Sequence, residues 1–204
     1  MRLRNLALIL AAVVALVAPN ARAQNAQPTA SKLLELSTFG GINGTYTGLA
    51  GGKNLGITAG VDVGVRSFYG FRPYLEGRGT YPVDDGEIDR QKNALGGIRV
   101  DRFVLPGLRV YGDFLLGRGE INYLNGGFPE PSGNFLILSS TSNVYSPGVG
   151  GEYRLTEHVS ALVDAQFQRY ETPATPSGTL WSKPILFGAR YRFNFNRHGY
   201  AAAP

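Results

Sequence analysis

Eight stretches of this chain alternate apolar and polar residues with a period of two. The last is the clearest. Ile185, Phe187, Ala189, Tyr191, Phe193 and Phe195 fall on one face, and Leu186, Gly188, Arg190, Arg192 and Asn194 on the other. That period marks an extended strand, because successive side chains point to opposite faces. Residues 55–66 repeat it, with Leu55, Ile57, Ala59, Val61, Val63 and Val65 set against Gly56, Thr58, Gly60, Asp62, Gly64 and Arg66. Residues 71–81 carry Arg72, Tyr74, Glu76, Arg78 and Thr80 on the polar face, and Pro73, which cannot donate to a ladder, belongs near the strand's start. A weaker first strand, residues 33–45, has Glu35, Ser37, Phe39 and Asn43 on that face. The fourth has Asn93, Leu95, Gly97, Arg99 and Asp101, and the fifth Arg109, Tyr111, Asp113, Leu115 and Gly117. Glu152 ends the sixth, inside which Pro147 demands a bulge or local irregularity. Asp164 lies in the seventh, residues 159–168.

The apolar faces are wide and aromatic, and no second sheet or helix is patterned to cover them. An antiparallel up-and-down barrel in lipid, with apolar residues outward and polar residues in the lumen, solves that problem. The fold class is therefore all-β, an eight-stranded transmembrane barrel. Short turns follow strands two, four and six. Longer loops at residues 44–53, 82–90, 122–139 and 172–182 follow one, three, five and seven, the asymmetry expected of periplasmic turns and extracellular loops.

The inward positions collect Glu35, Asp62, Glu76, Asp101, Asp113, Glu152 and Asp164 with Arg66, Arg72, Arg78, Arg99, Arg109, Arg190 and Arg192, seven acids against seven arginines. An eight-stranded barrel has room only for side chains inside, and charges buried there must be paired. The expectation is a salt-bridged lumen, with a narrow ion or small-solute channel as the alternative. Phe68, Tyr69, Phe71, Phe103 and Phe195 gather at the short-turn end, and Tyr81, Tyr170 and Trp181 at the other, which suggests the two aromatic girdles of a membrane barrel.

Composition agrees with strands rather than membrane helices: 28 Gly, 11 Tyr, 11 Phe, no Cys and 17% charged residues in 204. Arg2 and Arg4, an apolar run over residues 6–18 and Ala21-Arg22-Ala23 make residues 1–23 a secretory signal by pattern. Cleavage after Ala23 removes three arginines and no acid, so the formal charge falls from +5 to +2. Without a clustered basic stripe, nucleic acid is not an expected partner. His158 and His198 have no Ser and acid arranged around them, so neither enzyme chemistry nor a cofactor is expected. The acidic loop Asp84-Asp85-Gly86-Glu87-Ile88-Asp89 lacks a recognised ligand spacing and is expected to be solvated, with no bound metal. Phe135-Leu136-Ile137-Leu138 is the one apolar run outside the wall, either an extension of the fifth and sixth strands or an adhesive patch.

With its leader, its eight alternating segments and its terminal aromatic strand, the chain resembles the small eight-stranded outer-membrane proteins, the OmpA/OmpX-like barrel superfamily. The resemblance covers residues 33–195, flanked by a periplasmic lead-in at 24–32 and a tail at 196–204. Its most specific piece is Gly188-x-x-Tyr191-x-Phe193, with Phe195 beyond, which is similar to the family's C-terminal assembly signal. Two departures stand out: Leu186 replaces the polar residue usual two places before the glycine, and the chain continues past Phe195. The resemblance implies a Gram-negative outer-membrane location and transient contact with the barrel assembly machinery. Outer-membrane lipid and lipopolysaccharide would surround the barrel. The expected function is non-enzymatic, with four loops presented for envelope structure or surface adhesion. A soluble lipocalin-like carrier would instead need an apolar lumen.

Overall fold

A computed structural model describes residues 34–83 and 88–193. The signal sequence, the lead-in, residues 84–87 of the acidic loop, His198, Phe195 and the tail lie outside the described residues. The wall strands are β1 (Glu35–Tyr46), β2 (Lys53–Gly64), β3 (Phe71–Pro82), β4 (Asp89–Leu105) and β5 (Leu108–Tyr123), then β8 (Ser139–Arg154), β9 (Val159–Gln166) with β10 (Gln168–Glu171), and β11 (Thr179–Phe193). Between β5 and β8, β6 (Phe128–Pro129) and β7 (Leu136–Ile137) form a short hairpin. Each wall strand pairs antiparallel with its neighbours, and β1 pairs with β11 as well as β2, so the sheet closes. Counting β9 and β10 as one interrupted strand, the barrel has eight.

Alternation decides the two sides. Ile42 stands beside Ile57 on β2 and Phe187 on β11, and all three face outward. Leu75, Ile98, Phe114 and Val149 are half-exposed or more on the same wall. A belt of that kind is stable in hydrocarbon and unstable in water. Phe68, Tyr69, Phe71 and Phe103 are exposed at the short-turn end, and Tyr81 and Trp181 towards the other. Tyr170 does not join them: it lies on the inward face of β10 with no exposure, so its assignment to a girdle is corrected.

The turn between β2 and β3 closes on Tyr69 and Gly70, with φ of 51° and 82°, between bridged Phe68 and Phe71. Two successive positive φ values match the twist of a hairpin. The irregularity expected at Pro147 takes a particular form. The β5·β8 register runs unshifted through Phe114 and Pro147, but the other neighbour breaks at Phe167, between β9 and β10. The Phe167 amide donates to the Pro147 carbonyl at 2.9 Å, and Pro147 has no N–H to return the bond. On the far side, Pro184 falls in the matching gap of the β11 ladder, between Ser182 and Ile185.

Several strands run farther towards the long loops than their alternation indicates. β4 begins at Asp89 rather than 93, β5 ends at Tyr123 rather than 117, β8 begins at Ser139 and β11 at Thr179. Beyond the apolar belt the outward residues are Lys92, Arg118 and Asn143, so the contrast between faces fades although the backbone ladder continues.

Candidate functional site

The short-turn half of the lumen is one connected ion-pair network. Arg99, on β4, is 1% exposed and central to it. Its Nη1 lies 3.3 Å from Asp62 and 3.9 Å from Glu76, and its Nη2 3.6 Å from Asp101. The guanidinium also sits over Tyr74 at 4.3 Å and Tyr111 at 4.8 Å. Arg190 joins Asp62, at 3.4 Å, to Glu152, at 2.9 Å. Arg109 joins Asp101 to Glu35, and Arg192 bonds Glu35 and Glu152, while Arg72 caps Glu35. Arg78 donates to Glu76 and Asp164, each at 2.7 Å, and Gln166 donates to both Asp113 and Asp164. Tyr111 completes Asp164 with a bond of 2.9 Å. Charges desolvated this far are stable only beside opposite charges, and around Asp62, Glu76 and Arg99 the ion pairs leave some polar atoms without a hydrogen bond.

The structure places Arg66 elsewhere. It is exposed, beyond the end of β2 at Gly64, where the last ladder pair is Gly64 with Tyr74. The alternation continues through Val65 and Arg66, but the sheet does not. The lumen therefore holds seven of these acids and six arginines, not equal numbers. A second correction concerns Asp89. It is fully buried at the start of β4, not solvated in a loop. Thr47 donates to its Oδ1 at 2.8 Å and Gln91 to its Oδ2 at 2.9 Å.

Apart from Asp89, the long-loop half of the lumen carries no charge and much of it is apolar, which the inward charges did not suggest. Leu95, Leu115, Ile121, Tyr123, Val144, Tyr170 and Leu180 pack together there, with Leu49 and Ala174 folding in from the loops. Amides and hydroxyls are buried in the lumen as well, including Asn43, Thr58, Asn93 and Gln168. Asn93 donates to Tyr170 at 2.8 Å and to Gln168 at 3.1 Å. Leu115 and Tyr170 have no exposed surface, so this apolar cluster is packed side chain against side chain. A filled apolar layer above a cross-linked charged layer opposes ion passage. The reconstituted barrel is expected to give no discrete conductance steps in a planar bilayer; regular steps would mean that the network opens.

Outside the wall, the run at residues 135–138 does extend the β5–β8 hairpin. The Tyr123 amide bonds the Leu138 carbonyl at 2.9 Å, and β6 pairs with β7 beyond. Ile137 and Phe128 turn inward onto the buried cluster. Phe135, Leu136 and Leu138 remain exposed at 73%, 64% and 65%. His158 is half-buried in the β8–β9 turn, stacked 5.8 Å from Tyr191. Among the described residues no cluster of three or more His, Cys, Asp or Glu is arranged to hold a metal.

Gly188, Tyr191 and Phe193 all lie on β11, but on different faces. Tyr191 and Phe193 point to lipid with rings 5.1 Å apart, edge to face. Gly188 points inward against Gly41 of β1, at the closing seam.

No protein-family model matches the sequence, and no curated protein sequence matches it. Among solved structures, Neisserial surface protein A superposes with a TM-score of 0.52 at 13% identity, covering 80% of this chain and 99% of that one. The attachment invasion locus protein Ail of Yersinia pestis gives 0.45 at 10% identity, covering 78% and 97%. OprG of Pseudomonas aeruginosa gives 0.42 at 11% identity, covering 78% and 96%. At such identities the likeness to the Neisserial protein is one of fold. The chain has the closed eight-stranded antiparallel barrel fold expected from its sequence, the fold it shares with that surface protein.

Proposed function

We propose that this chain is a non-enzymatic outer-membrane protein that presents its long loops at the cell surface and adheres through the loop between β5 and β8. The observation that supports it is the tip of that loop, where Phe135, Leu136 and Leu138 are exposed together. Their hairpin is held in place by Ile137 and Phe128 against the buried cluster. An exposed apolar patch is costly in water and marks a contact surface, and a preformed hairpin loses little entropy on binding. In this reading the leader is removed near Ala23 and residues 24–32 and 196–204 lie in the periplasm. The assembly machinery engages β11 in passing, and lipopolysaccharide surrounds the barrel.

The test replaces Phe135, Leu136 and Leu138 with Ser in the exported chain. Adhesion of the expressing cells to an epithelial monolayer is expected to fall to that of cells lacking the protein. The heat-dependent gel shift of the folded barrel should persist, since these side chains lie outside the buried cluster. Unchanged adhesion by a correctly folded variant sinks the proposal.

A further inference from the structure

Where the apolar belt ends towards the long loops, outward positions on five strands carry cations: Lys53, Lys92, Arg118, Arg169 and Lys183. The same face has two carboxylates on β5 and β10, and each is already engaged. Glu120 lies 3.0 Å from Lys92, and Glu171 lies 3.8 Å from Arg169. Arg118 has no acidic partner among the described residues. It stands between two surface grooves, one of about 330 Å³ shared with Tyr81, Lys92, Ala94, Glu120 and Thr141, the other of about 480 Å³ shared with Asn143, Glu171 and Pro173.

Below the first groove, the outward positions of β3 and β4 form a floor almost without side chains. Gly79 is paired with Ala94, and the next outward pair is Gly77 with Gly96. Barrel packing does not demand glycine there. A Cβ on Gly77 would meet nothing within 4 Å, and Cβ atoms on Gly79 and Gly96 would come no closer than 3.8 and 3.6 Å. Leu116, beside Arg118 on β5, walls the trough, and Leu75 and Ile98 close its lower end. The result is a mouth of net positive charge, carried by Arg118 beside the Lys92–Glu120 pair, above an apolar trough, both facing the membrane.

We propose that this groove holds a phosphorylated lipid of the outer leaflet, with its phosphate on Arg118 and one acyl chain along Gly79, Ala94, Gly77 and Gly96. The assignment rests on the outer-membrane location proposed above. Arg118 supplies a planar donor fork that matches phosphate, and the Thr141 hydroxyl lies within the same groove, where Lys92 offsets the charge of Glu120. The trough complements a chain rather than a free anion, so inorganic phosphate alone should bind poorly.

The full chain would be refolded into nanodiscs containing lipid A, dephosphorylated lipid A or neutral phospholipid. Lipid retained after transfer to mild detergent would then be counted by native mass spectrometry. Lipid A should be retained over its dephosphorylated form, and millimolar inorganic phosphate should not displace it. Arg118→Gln should lower retention about fivefold, Arg118→Lys should restore part of it, and Gly79→Leu should abolish it by filling the trough. Arg154→Gln, at the opposite end, should change nothing. Equal retention of both lipid A forms, or wild-type retention by a folded Arg118→Gln variant, overturns the proposal. So does cross-linking of a Gly79→Cys variant to a second copy, which would make the trough a dimer contact. Failure of the wild-type chain to reach the outer membrane in fractionated cells would instead overturn the location.

Discussion

Alanine at position 188 is expected to prevent the barrel from closing. Gly188 lies opposite Gly41 across the β1·β11 seam, and both face the lumen. A Cβ on Gly188 would sit 2.9 Å from the Gly40 carbonyl carbon, and one on Gly41 would sit 2.5 Å from the Gly188 Cα. These contacts are with backbone, which a rotamer change cannot relieve. Nor can the strands slide, since the seam is in register from Leu36 with Phe193 to Tyr46 with Lys183, and a one-residue slip would turn apolar residues into the lumen. Overpacking of this kind costs about 3 kcal/mol, a large part of a small domain's stability. Refolding Gly188→Ala into detergent micelles and assaying the heat-dependent gel shift tests this without any assembly machinery. Loss of the shifted band assigns the glycine to packing of the seam. Wild-type refolding with an unchanged urea midpoint refutes the close approach and leaves only recognition during assembly to explain Gly188.

Arg99→Met should be the most damaging change within the charge network. The substitution keeps much of the volume and removes the cation from between Asp62, Asp101 and Glu76. Those carboxylates stay buried, in a lumen where carboxylates already outnumber arginines. Removing one partner of a buried ion pair costs about 3–5 kcal/mol, and the stacking on Tyr74 and Tyr111 is lost with it. The urea midpoint of the refolded protein should fall accordingly, and adding Asp62→Asn should recover part of the loss, because the two side chains interact directly. Arg66→Gln provides the contrast. Arg66 is exposed beyond β2, so its replacement should shift stability by no more than about 0.5 kcal/mol. A large effect at Arg66, or none at Arg99, would place the network wrongly.

The comparison of those two arginines marks how far the alternation can be read. A period of two assigns faces along a strand but carries no signal for where it leaves the wall, so Arg66 continues the pattern of β2 past its last ladder pair, where the residue is exposed. The opposite error befell Asp89. It closes the acidic run of residues 84–89, and only the pairing of β4 with β5, Asp89 opposite Tyr123, turns it inward. Above the belt the outward face turns polar while the inward face mixes apolar and polar residues, so the strand ends there were not legible from hydrophobicity. Tyr170 was legible, since it continues the inward series of Gln166 and Gln168. Aromatic character alone misplaced it.

What the sequence by itself determined is the sidedness of the wall and therefore the fold: apolar side chains alternate outward through eight segments, and only a closed barrel in lipid satisfies both those side chains and every backbone group. It also determined that Asp62, Glu76, Arg78, Arg99 and the other mid-strand charges face the lumen. Only the tertiary structure decided which of them meet. Arg78 finds Asp164 across 86 residues of chain, and Arg192 finds Glu35 across 157. Those meetings depend on register and on closure of β1 against β11, which are properties of pairs of strands. The same closure packed Leu115, Val144, Tyr170 and Leu180 into an apolar layer beside the charged one. Each strand carries only one or two of those residues, so no single segment contains the signal.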